Sequence, residues 1–155
     1  MARVLFVCLG NICRSPAGEG VLKRLAEQRG VADKIHVESC GIGDWHVGQL
    51  PDQRMRDAAG RRGIVLGQRA QQLSQRHLDE FDFILAADHE VYNDLHRYAK
   101  NPHHKSKIYM MTEFSKVYEG QEVPDPYYGD IGDFELVLDM LHDACEGLLN
   151  RIENV

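Results

Sequence analysis

The sequence lacks any apolar run near the about 20 residues that a bilayer-spanning helix needs, which excludes a helical membrane span. It also lacks a surplus of positive charge. Its 18 Lys and Arg stand against 24 Asp and Glu, a formal net of −6, so the broad basic footprint of a nucleic-acid binder is missing. Neither nucleic acid nor membrane is an expected partner. Cysteines are few: Cys8, Cys13, Cys40 and Cys145. Met1–Val7 is too short and wrongly flanked for a secretory signal, so a cytoplasmic setting is expected, where free or catalytic thiols are the reading rather than two disulfides. Cys8-x4-Cys13 has no second Cys or His pair at zinc spacing. The eight histidines are scattered, and His103 and His104 read as solvated loop residues. No metal and no cofactor are implied. No internal repeat, low-complexity tract or linker divides the chain, so residues 1–155 are read as one domain, long enough to bury a core.

What is present is the balance of a globular protein, 43% hydrophobic and 27% charged residues, in alternating strand and helix patterns. Val4-Leu5-Phe6-Val7-Cys8 is a continuous apolar run, as in a strand buried on both faces. A helix is expected from about Ser15-Pro16, with Val21, Leu22 and Leu25 at helical spacing and with Gly18 and Gly20 making it dependent on packing. Ile35–Cys40 alternates like a half-exposed edge strand, and Gly41 to Pro51 reads as a loop. Asp52 caps a helix running to about Arg62 and closed by Gly63. Phe83–Ala87 is a further buried strand, Glu90 to Tyr98 a helix, and Ile108–Met111 a short strand. A last helix carries Phe134, Val137, Leu138, Leu141, Cys145, Leu148, Leu149 and Ile152 on one stripe. Such alternation implies parallel pairing with right-handed crossovers: an α/β, three-layer open sandwich with a four-stranded parallel sheet flanked by helices. In such sheets ligands bind beyond the carboxyl ends of strands, where the topology switches. The segment from Cys8 to Ser15 leaves the first strand at that place.

That segment, Cys8-Leu9-Gly10-Asn11-Ile12-Cys13-Arg14-Ser15-Pro16, carries the chemistry. A phosphate dianion needs converging N–H donors, a fixed cation and no close carboxylate. A strand-to-helix loop can wind the amides of Leu9 to Ser15 inward and finish on a helix N-terminus. Gly10 and Asn11 tolerate the left-handed angles that winding requires. Arg14 offers a planar charged fork for two phosphate oxygens. The same surroundings stabilise a thiolate at Cys8, facing the phosphorus of a bound monoester, and Ser15 is placed to donate a hydrogen bond to it. No Walker-type Gly-Lys-Ser/Thr follows, which disfavours nucleoside triphosphates. Cys13 has two readings that both stand: packing under the loop, or a reversible disulfide with Cys8 that protects the nucleophile from over-oxidation.

The stretch Val7–Pro16 resembles the phosphate loop of the low-molecular-weight protein tyrosine phosphatases, and chain length and strand-helix order match that family throughout. The resemblance implies hydrolysis of phosphotyrosine, in a protein or as a small aryl phosphate, through a phosphocysteine on Cys8, with a monomer or weak dimer as the working form. Taken alone, Val123-Pro124-Asp125-Pro126 is an ordinary surface turn whose prolines restrict the aspartate. With Tyr127-Tyr128-Gly129 after it, it resembles the family's acid loop, which implies that Asp125 is the general acid. Asp130 and Asp133 read as helix-start residues. Trp45-His46-Val47-Gly48, with Pro51-Asp52-x-Arg54 after it, resembles the family's substrate lip. This implies an aromatic slot between Trp45 and Tyr127, with Tyr128 beside it. The resemblance also implies that Asn11, Ser15 and Ser39 brace the phosphate loop. Gln68 stands where the family often has a histidine and is the expected third support. Ser39-Cys40-Gly41-Ile42 departs from the family's Ser-Ala-Gly-Thr. Arsenate reduction on this scaffold uses further cysteines after the third strand, where this chain reads Ala86-Ala87-Asp88-His89-Glu90. A phosphoarginine-specific relative has Thr at the place of Ile12. A non-catalytic phosphate-binding module would need Arg14 but not Cys8 and Asp125.

Overall fold

The computed structural model describes residues 1–154. Four strands, β1 (Ala2–Cys8), β2 (Ile35–Gly41), β3 (Phe83–Ala86) and β4 (Ile108–Met110), form one parallel sheet in the order β2-β1-β3-β4. The expected fold class is therefore the observed one, with β2 at an edge. The helices are α1 (Arg14–Gln28), α2 (Gln53–Gly60), α3 (Gln75–Glu80), α4 (His89–Tyr98), α5 (Pro102–Lys105) and α6 (Ile131–Glu153). Successive side chains of β1 point to opposite faces. Val4, Phe6 and Cys8 face a core shared with α1, α2 and α6. Leu5 and Val7 face a second core shared with α3 and α4. β1 is thus covered on both sides, which is why its sequence is a continuous apolar run.

The helices other than α1 begin where a short polar side chain can take free backbone N–H groups. Asp52 accepts from the Arg54 amide at 2.8 Å. Asp130 and Asp133 form a reciprocal capping box at the start of α6. The helix after Asp52 ends at Gly60 rather than Arg62, and the chain turns at Gly63 with φ 77°. α3 and α5 were not expected. Both are single short turns whose apolar periodicity is too brief to register, and both rely on caps: Ser74 with His77, and Asn101 with His104. The reading of His104 as a solvated loop residue is corrected. It is buried, its Nδ1 accepts from the Lys100 amide at 3.1 Å, and its Nε2 lies 2.6 Å from Asp79 Oδ1.

α1 is the exception among these starts. Its N-cap, Cys13, makes no side-chain cap bond, so the amides of its first turn stay free. The helix opens at Arg14, one residue before the expected start, which places Pro16 in its first turn. The glycines that weaken its propensity let it pack closely, Gly18 against the sheet and Gly20 against the segment after α2. A Cβ on Gly18 would stand 2.3 Å from Phe6 Cδ1, and one on Gly20 would stand 2.3 Å from Leu66 Cδ2. Phe6 is itself fully buried and has no room to yield. Gly18→Ala gains about 1 kcal/mol of helix propensity, but overpacking of this kind costs about 1–3 kcal/mol. The substitution should therefore lower the urea midpoint; an unchanged or raised midpoint would show that α1 can move off the sheet.

Candidate active site

β1 and β3 are neighbours whose chains leave the sheet toward opposite faces, into α1 and α4, so a crevice opens between their carboxyl ends. Three segments meet there: the loop from Cys8 into α1, the loop around Trp45, and the stretch from Val123 to Asp130 that leads into α6. Together they line a cleft of about 270 Å³ whose walls include Cys8, Arg14, Asp125, Trp45 and Tyr127.

The path of the first loop is set by where its carbonyls go. Cys8 O accepts from Ile42 N at 3.0 Å, Leu9 O from Gly43 N at 3.0 Å, Ile12 O from Asp52 N at 2.8 Å, and Cys13 O from Ala17 N at 3.2 Å. With the carbonyls turned outward, the amides turn inward. Among the described residues, the N–H groups of Gly10, Ile12 and Cys13 donate to no protein acceptor. These residues line the cleft beside the uncapped first turn of α1, an arrangement able to hold an anion. The loop passes so close to β2 that a Cβ on Gly41 would lie 3.0 Å from both Gly10 C and Leu9 O.

Asn11 makes the turn possible. It is buried, with φ 59°, the one non-glycine residue at positive φ among those described. Its Oδ1 accepts from the Gln71 amide at 2.9 Å, which fixes which end of the side chain is nitrogen. Its Nδ2 then donates to Ser15 Oγ at 2.7 Å and to Ser39 Oγ at 3.0 Å. Ser39 passes its own proton to buried Glu19 at 2.7 Å, and Glu19 is paired with Lys23. Ser15, already accepting from Asn11, lies 3.0 Å from Cys8 Sγ. Its hydroxyl is thus within donating distance of the sulfur, and Asn11 N–H donates to it at 3.3 Å. The other three cysteines are held as thiols. Burial raises Cys13, reinforced by Asp52, and raises Cys40 and Cys145, both wholly buried.

Arg14 is nearly as buried. Its Nη1 donates to Asp88 Oδ2 at 2.6 Å and to Val123 O at 3.1 Å. That leaves Nε and Nη2 as the edge that can meet two oxygens of an anion. Burial opposes the guanidinium charge, but Cys8, Asp88 and Asp125 outweigh it and hold Arg14 above its ordinary value. Asp88 is a residue the sequence reading passed over. Its Oδ1 caps α4 through the Val91 amide at 2.8 Å, a role its place before a helix announces. Its second oxygen reaches Arg14 across the switch between β3 and β1, which no local pattern announces.

Asp125 stands half-exposed at the mouth, with Oδ2 3.9 Å from Arg14 Nη2 and Oδ1 accepting from the Tyr127 amide at 3.1 Å. Trp45 folds over Gly43 and is 64% exposed, so it is a rim residue and not a cover for the core. Tyr127 and Tyr128 stack with ring centroids 5.0 Å apart and both line the cleft, Tyr128 at its outer edge with 98% of its surface exposed. The expectation for Gln68 is corrected. It lies exposed on the surface with no hydrogen bond to the loop. The support comes instead from the Gln71 backbone, whose side chain is tied to Ser39 O at 3.0 Å and to Glu38 at 3.1 Å.

Comparison with known proteins agrees with this arrangement. A family model described as low molecular weight phosphotyrosine protein phosphatase matches residues 3–155. The chain is 42% identical over 156 residues to a low molecular weight protein-tyrosine-phosphatase of Bacillus subtilis, covering 99% of this chain and 97% of that one. It is 35% identical over 153 residues to the low molecular weight phosphotyrosine protein phosphatase of Sus scrofa, covering 96% and 94%. Among solved structures, a protein tyrosine phosphatase from Entamoeba histolytica with Hepes in its active site superposes with a TM-score of 0.95 at 38% identity, covering 99% and 98%.

The bracing of the loop has a pH signature. Burial works against the Glu38 carboxylate, but hydrogen bonds from His36, Gln71 and Arg76 outweigh it and hold its pKa at about 2, below the ordinary 4.5. A depressed folded value means that ionised Glu38 adds stability above the unfolded value, and that this is lost as pH falls from 4.5 through about 2. Glu38→Gln should be less stable near neutrality and should lose stability less steeply over that acid window in urea titrations. Equal slopes in the two proteins would show that Glu38 is not held in this way.

Proposed function

The chain belongs to the low molecular weight protein-tyrosine-phosphatase family, and from that premise we propose that it hydrolyses phosphotyrosine by passing the phosphoryl group through Cys8. It is a protein-tyrosine-phosphatase by its relatives over nearly its whole length; the residue roles are our reading. The observation that carries them is that Asp125, distant in sequence, meets Cys8 and Arg14 of the first loop on one cleft.

In this reading the amides from Leu9 to Ser15 and the Nε–Nη2 edge of Arg14 hold the phosphate, charge held by fixed donors. The Cys8 thiolate attacks phosphorus on the side away from the ester oxygen. The S–P bond forms as the P–O bond breaks, and Asp125 hands its proton to the departing phenolate. A water then attacks the phosphocysteine, gives its proton to Asp125, and releases inorganic phosphate as the S–P bond breaks. The Ser15 hydroxyl and the Asn11 amide stabilise the leaving thiolate. The aryl ring stands between Trp45 and Tyr127. A phosphoserine side chain is too short to reach the thiolate while also filling that slot, so aryl esters are the substrate class, whether carried on a protein or free. The apolar Ile12 at the cleft suits a neutral ring better than a charged guanidino group. Residues 1–155 work as a single domain. Four unpaired thiols among the described residues support a cytoplasmic site of action.

Hydrolysis of a series of aryl phosphates by the wild type, Cys8→Ser and Asp125→Ala tests the assignments. Cys8→Ser should abolish turnover. Asp125→Ala should slow esters of weakly acidic phenols by about 10²-fold or more and esters of acidic phenols much less, since only the former need the proton. Substantial activity in Cys8→Ser would end this mechanism.

A further inference from the structure

The stretch from Val123 to Asp130 is firmly held at its two ends and thinly held between them. Val123 is buried, with its amide on Ala87 O at 2.8 Å and its carbonyl on Arg14. Asp130 is locked into the start of α6. Pro126 is buried within it, and among the described residues two side chains make a hydrogen bond or ion pair to the intervening segment from elsewhere in the chain. One is Arg14, 3.9 Å from Asp125, a spacing too long for a hydrogen bond. The other is Arg54.

Arg54 is built as a brace. Its Nε and Nη2 grip Asp52 at 3.1 and 3.0 Å, side by side. Its Nη2 also donates to Tyr127 O at 2.9 Å. Its guanidinium carbon lies 5.4 Å from the centre of the Tyr127 ring and 4.8 Å from that of Phe134. Asp52 in turn donates its amide to Ile12 O at 2.8 Å. A continuous line of bonds therefore runs from the phosphate loop through Asp52 and Arg54 to the residue two places after Asp125. The Tyr127 amide is the group that holds Asp125 Oδ1. Whatever fixes Tyr127 fixes the direction of the carboxyl group.

We propose that Arg54 is a positioning residue that sets the acid loop at its working distance from the phosphate loop, and so aligns Asp125 with the leaving oxygen. This rests on Asp125 being the general acid. Arg54 touches neither the phosphate nor the nucleophile; it acts through Tyr127. A lysine keeps the charge but cannot span Asp52 and the Tyr127 carbonyl with one planar fork.

The test is the ratio of turnover on phenyl phosphate to turnover on 4-nitrophenyl phosphate, which does not depend on how much of a variant is folded. In Arg54→Gln that ratio should fall about tenfold, a part of the about 10²–10⁴ that a placed acid contributes. Arg54→Lys should fall nearly as far. Adding Arg54→Gln to Asp125→Asn should leave the ratio where Asp125→Asn alone puts it, because the group being aligned is gone. An unchanged ratio in Arg54→Gln overturns the proposal, as does a further fall in the Asp125→Asn background. If Asp125→Asn itself leaves the ratio at the wild-type value, the assignment of the acid fails instead.

Discussion

Asn11 holds a left-handed backbone, φ 59°, in a buried position, and the active site depends on the bonds that keep it there. Such a conformation costs a non-glycine residue about 1–3 kcal/mol. Three hydrogen bonds of its side-chain amide, donated to Ser15 and Ser39 and accepted from the Gln71 N–H, offset it at about 1 kcal/mol each. A glycine would adopt the same angles with less strain, but would leave Ser15 free to rotate. With asparagine in place, the backbone turns its carbonyls outward and its amides inward, and the hydroxyl of Ser15 lies within donating distance of Cys8. One side chain thus links the shape of the loop to the surroundings of Cys8.

The fold supplies the remaining geometry by bringing distant segments to the switch between β1 and β3. The Cys8 loop leaves β1, Asp88 follows β3, and the stretch carrying Asp125 leads into α6. Arg14 is the meeting point. Its burial beside Asp88 and the Val123 carbonyl costs desolvation, yet it removes the rotamer freedom that a surface arginine would have to lose on binding. The ion pair is therefore weak evidence about stability and stronger evidence about preorganisation: two N–H groups are already turned to the cleft before an anion arrives.

Much of this was legible in the sequence because it is local. The β1 run, the Gly-Asn turn, the Ser-Pro start and the stripe of α6 are patterns of period and punctuation, and each has its counterpart in the structure. What was not legible is carried by groups that leave no residue-type signature. A further support of the loop is a backbone N–H of Gln71, which any residue could provide, whereas Gln68, whose residue type suggests a support, is exposed. Asp88 announces its cap but not its second bond, and Arg54, legible as part of the lip motif, does not announce its bond to Tyr127 until α2 and the stretch after Val123 are brought together. α3 and α5 are too short for periodicity, and His104 looks like a polar loop residue until Asp79 and the Lys100 amide are seen around it.

The central claim is a covalent one, that the phosphoryl group rests on Cys8 between substrate and water. Acid quenching of the enzyme during turnover of an aryl phosphate, followed by mass analysis of its peptides, tests it most directly. Phosphate should be found on the peptide carrying Cys8, at the cysteine, and should accumulate when Asp125→Asn slows the attack of water more than it slows transfer from an acidic phenol. Phosphate on Cys13 or on any other residue, or its absence from Cys8 in an enzyme that is turning over with hydrolysis of the intermediate rate-limiting, would contradict the account.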